Sequence, residues 1–377
     1  MRKLLWTAAA LLVAGGAVAA LGLSARPGGD VLLASSFRTY DDDDDTPRVQ
    51  RLPEGRNPVP LSATRVLGDS VSFGFIDDIA LMGPELLLLD RYGPKALLFM
   101  NLRSGQITRA AGRRGRGPGE YLWARSIDKV PDGPNAGTWI YDMQQGRFTV
   151  YDAAARDDRP RRIVRAPTGL YSPVWLGDTL TGNGMFPQEM LRKYVLENDV
   201  MKEVAKAGTT PFTRELRDIA MILNRTTVAV PPSRRGMVAA YRYTSRLDFY
   251  DRAGRRLHSA TGLRSVVPTY RVVPDPRSRL NRWVPLRETS YAYLDVDATD
   301  RFVYALFAGR SHKDYRDSYD AGNRVEVFTW DGRLQHVWEL GEDVSRIEVD
   351  PVTGNMYGAR EVPFPAVVEF RLPGGGW

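Results

Sequence analysis

The sequence predicts an all-β protein, a six-bladed β-propeller preceded by a single N-terminal transmembrane helix. Three observations carry this prediction. Strand-like runs recur about every fifty residues, tight turns rich in Asp and Gly separate them, and one long uncharged segment lies near the start of the chain. The 377 residues include 35 glycines and 25 prolines, as expected where many tight turns join short strands. We expect the propeller to occupy residues 61–372.

The uncharged segment, residues 4–25, follows Arg2 and Lys3 and precedes Arg26. As a helix it would rise about 33 Å, enough to cross the hydrocarbon core of a bilayer. A cleaved signal peptide is the alternative, because residues 17–19 and 23–25 both offer small residues for cleavage. The length of the segment favours a retained anchor in residues 1–25. The positive charge before it predicts a single-pass inner-membrane protein with a cytoplasmic N-terminus and the propeller in the periplasm.

Residues 26–60 are predicted to be an acidic flexible linker. Five consecutive aspartates at 41–45 repel one another and solvate well, and they lack the spaced oxygens and glycine turn of a calcium loop. The tail, residues 373–377, is also predicted to be flexible. Both predictions rest on composition.

Six strand–turn–strand units carry the propeller prediction. Their runs are short, rich in β-branched and aromatic residues, and bounded by Asp/Gly turns, a pattern typical of antiparallel strands. A four-stranded blade cannot bury both of its faces alone, which favours radial repetition over a pair of β-sandwiches or an open solenoid. The units lie near residues 85–100, 138–152, 179–197 (the weakest), 238–251, 302–328 and 347–370.

Two further elements are expected from the pattern. Closure of the ring would bring a strand near residues 63–68 against the last blade. The spacing of Phe212, Leu216, Ile219, Ala220 and Leu223 predicts one helix, which begins at Thr210-Pro211 and flanks the fourth blade.

Four segments in order resemble one bacterial family. They are GRGPGEY at 115–121, ATDRFVYALF at 298–307, VFTWDG at 327–332, and the pair Val349-Asp350. Together they are similar to the six-bladed cell-envelope propellers described as TolB-like or NHL-like. The resemblance implies the fold and an envelope location, and it carries no catalytic residues to transfer. Many such relatives are lipoproteins, but this chain has no cysteine to acylate, which makes a protein anchor the more natural tether.

Composition excludes several classes of function. The absence of cysteine rules out disulfides, thiolate nucleophiles and cysteine metal sites. The net charge is +7, but no aromatic–basic motif, zinc spacing or basic helix accompanies it, so we expect no nucleic-acid partner.

Two short motifs are better explained by structure than by chemistry. Residues 112–119 are glycine-rich but lack the lysine and Ser/Thr of a phosphate loop, so an interblade turn is expected. Gly68-Asp69-Ser70 resembles an esterase nucleophile block. An esterase of this class needs a histidine with an aspartate three residues before it. None of His258, His312 and His336 has an aspartate at that position.

Carboxylates leave a second function open. Asp295, Asp297 and Asp300 cluster in the sequence, while Asp90, Asp142 and Asp350 recur at strand ends. Some six-bladed propellers hold a metal in the central channel and hydrolyse small substrates, and oxygen-rich channels suit hard cations. Recurrent aspartates at strand ends are also what turns demand, because the side chain accepts backbone N–H bonds, and this reading is favoured.

The leading functional expectation is a non-catalytic, membrane-anchored accessory subunit of a membrane protein complex, for example in transport, secretion or photosynthetic assembly. No catalytic, cofactor-binding or metal-binding residue is assigned. The alternatives are a metal-dependent hydrolase or lyase and the capture of a small glycan or peptide by channel aromatics. Residues 268–287 are expected to form an exposed interblade loop that binds the partner. The candidate partner-binding residues are Arg271, Arg277, Arg279, Arg282, Trp283 and Arg287.

Overall fold

The computed structural model of the protein describes residues 31–32, 48–68, 71–152, 159–184, 186, 189–209, 222–274, 281–311, 313–314 and 321–374. Nearly all of the regular structure in these residues is β-strand, as expected for an all-β protein. In chain order the strands are β1 (Val31–Leu32), β2 (Val59–Leu61), β3 (Ala63–Leu67), β4 (Ile76–Met82), β5 (Glu85–Asp90), β6 (Leu97–Asn101), β7 (Ile107–Ala111), β8 (Ala124–Val130), β9 (Gly137–Asp142), β10 (Arg147–Tyr151), β11 (Arg162–Arg165), β12 (Leu170–Leu176), β13 (Thr179–Gly184), β14 (Glu189–Glu197), β15 (Val200–Thr209), β16 (Thr226–Ala229), β17 (Gly236–Tyr241), β18 (Arg246–Asp251), β19 (Arg256–Thr261), β20 (Tyr270–Pro274), β21 (Asn281–Pro285), β22 (Tyr293–Ala298), β23 (Phe302–Phe307), β24 (Gly322–Thr329), β25 (Leu334–Val344), β26 (Arg346–Asp350), β27 (Asn355–Arg360) and β28 (Ala366–Arg371).

Six antiparallel meanders form the blades of a propeller. Blades 1 to 5 are β4–β7, β8–β11, β12–β15, β16–β19 and β22–β25, and blade 6 is β26–β28 completed by β3. A short parallel contact between Arg165 and Val200 links blades 2 and 3 at their outer edges. All six predicted repeat units, including the weak third one, fall on blades.

The middle strands of the blades are apolar on both faces because a neighbouring blade covers each face. Residues 86–89 of β5 are four consecutive leucines, and all four are buried. The same holds for β23, whose six residues are all buried. Such continuous apolar runs are typical of strands packed on both sides, and they place the core between the blades.

The ring closes where the sequence predicts. Strand β3 pairs antiparallel with β28, and Val66 lies opposite Val368. Leu67 is buried in the same core as Val367 and Tyr357 of blade 6. The first propeller strand therefore supplies the outer strand of the last blade.

The end of the predicted flexible linker is packed against the propeller, which corrects that expectation for the described residues. Strand β2 adds in parallel to β25, at the outer edge of blade 5. The Gln50 amide donates to the carbonyls of Thr261 (3.0 Å) and Gly332 (2.8 Å) and accepts from Leu334 N–H (2.9 Å). Composition does not predict this contact, because even a polar segment can pair with exposed strand edges and turn carbonyls. Residues 41–45 lie outside the described residues.

The described part of residues 268–287 contains a pair of β-strands, which we call the β20–β21 hairpin, and not the loop that its prolines suggested. Strands β20 and β21 pair antiparallel, and β1 adds as a third strand, with Val31 opposite Arg271. Pro274 and Pro285 are the last residues of their strands, where a missing N–H does least harm to a ladder. The position of these prolines, and not their number, therefore decided whether strands could form here.

Two predicted helices fall largely or wholly outside the described residues. The transmembrane helix predicted at residues 1–25 lies wholly outside the described residues. Of the helix predicted at 210–223, only Ile222 and Leu223 are described, and both are helical. Within the described ranges there is no helix long and apolar enough to span a bilayer.

The meander gives the propeller two different faces. The innermost strands β4, β8, β12, β16, β22 and β26 contact one another around the axis and all run in the same direction. All connections between blades, and those between the second and third strands of a blade, therefore lie at one face, which we call the loop face. The opposite turn face carries the remaining, mostly short connections.

Candidate functional site

A central channel runs along the six innermost strands. It encloses a cavity of about 500 Å³, within the range of small-molecule sites. Prolines 131, 231, 232 and 351 line it towards the turn face. Its charged lining residues are Asp77, Asp78, Arg125, Asp128, Lys129, Arg234, Asp295, Asp297, Arg346 and Glu348.

Channel carboxylates connect neighbouring blades. Asp78 of blade 1 accepts a hydrogen bond from Ile127 N–H of blade 2 (2.8 Å), and Asp128 of blade 2 accepts one from Trp175 N–H of blade 3 (2.5 Å). Each innermost strand is the edge of its sheet, so the N–H groups that point away from the second strand have no partner within their own blade. A carboxylate from the blade before supplies that partner.

The same arrangement closes the other side of the ring. Asp295 and Asp297 of blade 5 accept from Ile347 N–H (2.9 Å) and Val349 N–H (2.7 Å) of blade 6. Glu348 of blade 6 then accepts from Leu81 N–H of blade 1 (2.8 Å). These carboxylates therefore contribute to holding the ring together.

Between blades 3, 4 and 5 neutral side chains make the equivalent contacts. The Asn183 amide donates to the Thr226 carbonyl (2.7 Å), and the Thr227 hydroxyl donates to the Leu294 carbonyl (3.3 Å). The acidic connections thus lie at four of the six junctions between blades, and the neutral ones at the other two.

Burial and crowding raise the pKa of several of these carboxyl groups. Burial and the neighbouring Asp295 raise the pKa of Asp78 to about 7. Burial also raises the pKa of Asp295 to about 6, although Arg346 lowers it in part. The pKa of Asp297 is raised well above its usual value by burial and by Glu348. Asp78 keeps part of its surface open to the cavity, so water moderates its shift.

Cations compensate the carboxylates nearer the turn face. Arg234 forms an ion pair with Asp128 (2.6 Å), and Lys129 forms one with Glu348 (3.2 Å). These two pairs leave Asp78, Asp295 and Asp297 as the most crowded acidic group in the cavity.

At the loop-face end the channel is cationic and aromatic. Asp77 has a fully buried side chain that accepts hydrogen bonds from Arg91 and from Trp123 Nε1–H (3.0 Å). Arg125 lies 3.5 Å from the same carboxylate, and its guanidinium also donates to the Tyr171 hydroxyl. Arg225 approaches the Tyr171 ring as well.

The strand-end aspartates act in turns, as predicted. Asp90 accepts from the N–H groups of Gly74 (2.9 Å) and Gly93 (2.9 Å). Asp142 accepts from Gln145 N–H (2.9 Å), and Asp350 from Val352 N–H (2.9 Å).

The sequence cluster of Asp295, Asp297 and Asp300 is divided by the fold. The first two line the channel, but Asp300 lies in an exposed turn, where it accepts from Ser233 N–H (3.1 Å). Among the described residues no group of three or more His, Asp or Glu side chains is placed to hold a metal ion.

The other two motifs resolve differently. Residues 112–119 form the connection between β7 and β8, where Gly112 and Gly119 have φ of +70° and +69° and Glu120 accepts from Gly117 N–H (2.8 Å). This confirms the interblade turn. Asp69, Ser70 and His312 lie outside the described residues.

Four of the six predicted partner-binding residues are described, and they lie in or just after the β20–β21 hairpin. Arg271 is half-buried in β20, and Arg287 is exposed just after β21. Arg282 and Trp283 are part of β21, opposite Val273 and Val272 in register. Arg277 and Arg279 lie outside the described residues.

The family described as "TolB-like 6-blade propeller-like" matches residues 78–351. This chain belongs to that TolB-like family. The predicted family is therefore confirmed over most of the propeller. No curated protein matches the chain by sequence.

Two solved structures are similar in fold to this TolB-like propeller. The β-propeller domain of Cps50 (Swd1) from Myceliophteria thermophila is 14% identical with a TM-score of 0.45, covering 83% of this chain and all of that one. Hydrazine synthase from Kuenenia stuttgartiensis is 13% identical with a TM-score of 0.44, covering 88% of this chain and 99% of that chain. Neither likeness carries an inference about function.

Sequence reasoning missed most of the charged residues of this TolB-like channel. Arg125, Arg225 and Arg346 stand at or next to the start of three different innermost strands, and nothing in the sequence links them. The one available signal was an acidic residue recurring in first strands of blades, as in IDD at 76–78 and LDVD at 294–297.

Proposed function

We propose that this TolB-like propeller is a non-catalytic, membrane-anchored extracytoplasmic protein that binds another envelope protein as an accessory subunit. The observation that carries the proposal is the three-stranded sheet of β1, β20 and β21. This sheet stands outside the blade repeat and joins the N-terminal segment to the connection between blades 4 and 5.

The position of β1 ties the hairpin to the proposed anchor. Only five residues, 26–30, separate Ala25, the end of the predicted span, from Val31, which pairs with Arg271. The six extended steps from Ala25 to Val31 reach at most about 20 Å. With residues 4–25 in the membrane, the hairpin would lie within that distance of the bilayer surface, beside the extracytoplasmic parts of membrane proteins.

The composition of the hairpin suits a protein interface. It carries several arginines and a tryptophan, residue types that are enriched among interface hot spots. Arg287 is exposed and Arg271 half-buried, and both belong to the set of candidates. A protein partner with an acidic surface is the complementary occupant.

The channel supports a non-catalytic role. Each of the channel carboxylates Asp78, Asp128 and Asp297 already accepts a hydrogen bond from the next blade. These bonds give the carboxylates a structural role in the channel that requires no catalysis.

Charge reversal on the hairpin tests the proposal. Full-length protein carrying Arg271→Glu and Arg287→Glu, alone or with Glu at positions 277, 279 and 282, is expressed in its own host and recovered from membranes in mild detergent. We expect at least a tenfold loss of the co-purifying partner, measured by quantitative mass spectrometry, because buried arginine contacts dominate such interfaces.

The matched control reverses two exposed arginines of the turn face, Arg103→Glu and Arg252→Glu. It should retain the partner. Recovery of only free monomer from the wild type, or equal loss in the control, would count against the proposal.

A further inference from the structure

Tyr171, at the loop-face end of the channel, is held by two arginines. The guanidinium carbons of Arg125 and Arg225 each lie 4.6 Å from the centre of its ring. Arg125 also donates a hydrogen bond to the Tyr171 hydroxyl, and both of these side chains are almost fully buried. Cation–π contacts and one hydrogen bond fix the two guanidinium groups in place.

Neither Arg125 nor Arg225 has a described carboxylate to itself. Asp77 is the carboxylate nearest to Arg125, at 3.5 Å, but it is already engaged by Arg91 through two hydrogen bonds. No carboxylate of the described residues forms an ion pair with Arg225. Burying guanidinium groups without a matched number of anions is unfavourable, which favours the binding of an anion from outside the chain.

The pKa of the Tyr171 hydroxyl also reflects the positive charge of the surrounding arginines. Burial alone would raise the pKa of its hydroxyl, but Arg125, Arg225, Arg242 and Arg346 together lower that pKa below its usual value. The pKa of Arg125 is itself lowered, first by burial and then by repulsion from Arg346 and Arg225. An anion bound among these groups would raise the pKa of Tyr171 and that of Arg125 towards their usual values.

The cavity gives access to this charge. Arg125 and Arg346 both line the space of about 500 Å³, together with Ser172. Further along, Asp78, Asp295 and Asp297 line the same cavity. A ligand with negative charge at several points would meet these carboxylates, so a molecule with one anionic end fits best.

We propose that the channel binds a small organic molecule through a single anionic group, a carboxylate or a phosphate, held by Arg125 and Arg346 of the cavity lining, with Arg225 adding to the positive charge. The planar guanidinium fork matches both groups, because each presents two acceptor oxygens at the right spacing. The rest of the ligand would extend towards the proline-lined part of the cavity. This binding is independent of the partner surface on the hairpin.

Calorimetric titration of the full-length protein in nonionic detergent is the first test. The probes are butyrate and butyl phosphate, with butyramide and butylamine as neutral and cationic controls. We expect one of the two anions to bind with a Kd below about 1 mM, and butyramide at least tenfold more weakly. The anion that binds more tightly then shows whether the site prefers a carboxylate or a phosphate.

Two variants locate the binding. Arg225→Gln removes a guanidinium group that has no described ion pair, and Arg125→Gln removes the group that lines the cavity. Each is expected to weaken anion binding at least tenfold, whereas Arg103→Gln on the turn face leaves it unchanged.

A tyrosine titration gives a readout that does not require Arg125→Gln or Arg225→Gln to fold. The ultraviolet difference between wild type and Tyr171→Phe follows ionisation of this one hydroxyl. Saturating butyrate or butyl phosphate should move that ionisation to higher pH. Absence of binding by both anions at 10 mM, unchanged affinity in folded Arg125→Gln, or an unmoved Tyr171 titration would overturn the proposal.

Discussion

Replacing Asp78 by Asn should change how the stability of the propeller depends on pH. Asp78 crosses from blade 1 to Ile127 of blade 2, and Asp295, Glu348 and Arg346 surround it in the channel. Its pKa is raised from 3.8 to about 7, so the folded protein binds a proton between these values that the unfolded chain has released. The stabilisation from this proton is complete below pH 4 and is lost as the pH rises to about 7.

The size of the effect follows from the shift. One pKa unit corresponds to about 1.4 kcal/mol, so a shift of about three units would amount to roughly 4 kcal/mol. Asp78 keeps part of its surface open to the cavity, and water screens part of its interaction. We therefore expect about 2 kcal/mol for Asp78 between pH 5 and pH 8. The wild type should lose this much more of its free energy of unfolding over that interval than Asp78→Asn does.

Urea unfolding followed by tryptophan fluorescence at pH 5, 6, 7 and 8 measures the difference. Subtracting the variant from the wild type removes the titrating groups that do not interact with Asp78, including His336, whose pKa is lowered by burial and Arg56 and which acts in the opposite direction. Asp314→Asn is the control. The pKa of Asp314 is lowered by its bonds to Ser311, so it stays ionised throughout. Parallel curves for wild type and Asp78→Asn would refute the reasoning.

Two further predictions concern packing. Leu67→Asp on the closing strand should lower the free energy of unfolding by about 4 kcal/mol, because Leu67 is 2% exposed; Val66→Asp, at 42% exposed, should cost under about 1 kcal/mol in the same urea assay. Equal losses would contradict closure through β3. Gly262→Ala should cost about 2–3 kcal/mol, because its Cβ would overlap the buried Glu326 carboxylate, which Tyr293 holds in place. Gly341→Ala, with its nearest neighbour 3.6 Å away, should change thermal stability little.

Features that depend on residues close together in the chain could be predicted from the sequence. Strand pairing within a blade joins residues one turn apart, and alternation with Asp/Gly turns marks each pair. Asp90 and Asp142 were assigned correctly because they bond to backbone N–H groups in nearby turns and strand starts. Ring closure followed as well, because a blade that lacks its fourth strand must take one from the other end of the chain.

The hairpin and the docked linker show where local reasoning was wrong. Prolines at residues 268–287 suggested a loop, but Pro274 and Pro285 end their strands, so the ladder between them is unbroken. Residues 48–61 have the composition of a flexible linker, yet β2 and Gln50 find partners on blades 4 and 5 that no local pattern describes.

The sequence by itself determined the blades, their number and the strand that closes the ring, because each depends on short-range periodicity. Only the tertiary structure decided what the channel contains. Asp78 and Ile127 meet 49 residues apart, and Glu348 and Leu81 meet 267 residues apart. Arg125 and Arg225 reach Tyr171 from blades on either side. These residues converge because the ring brings the innermost strands to one axis, and that convergence leaves no trace in the spacing of any single segment.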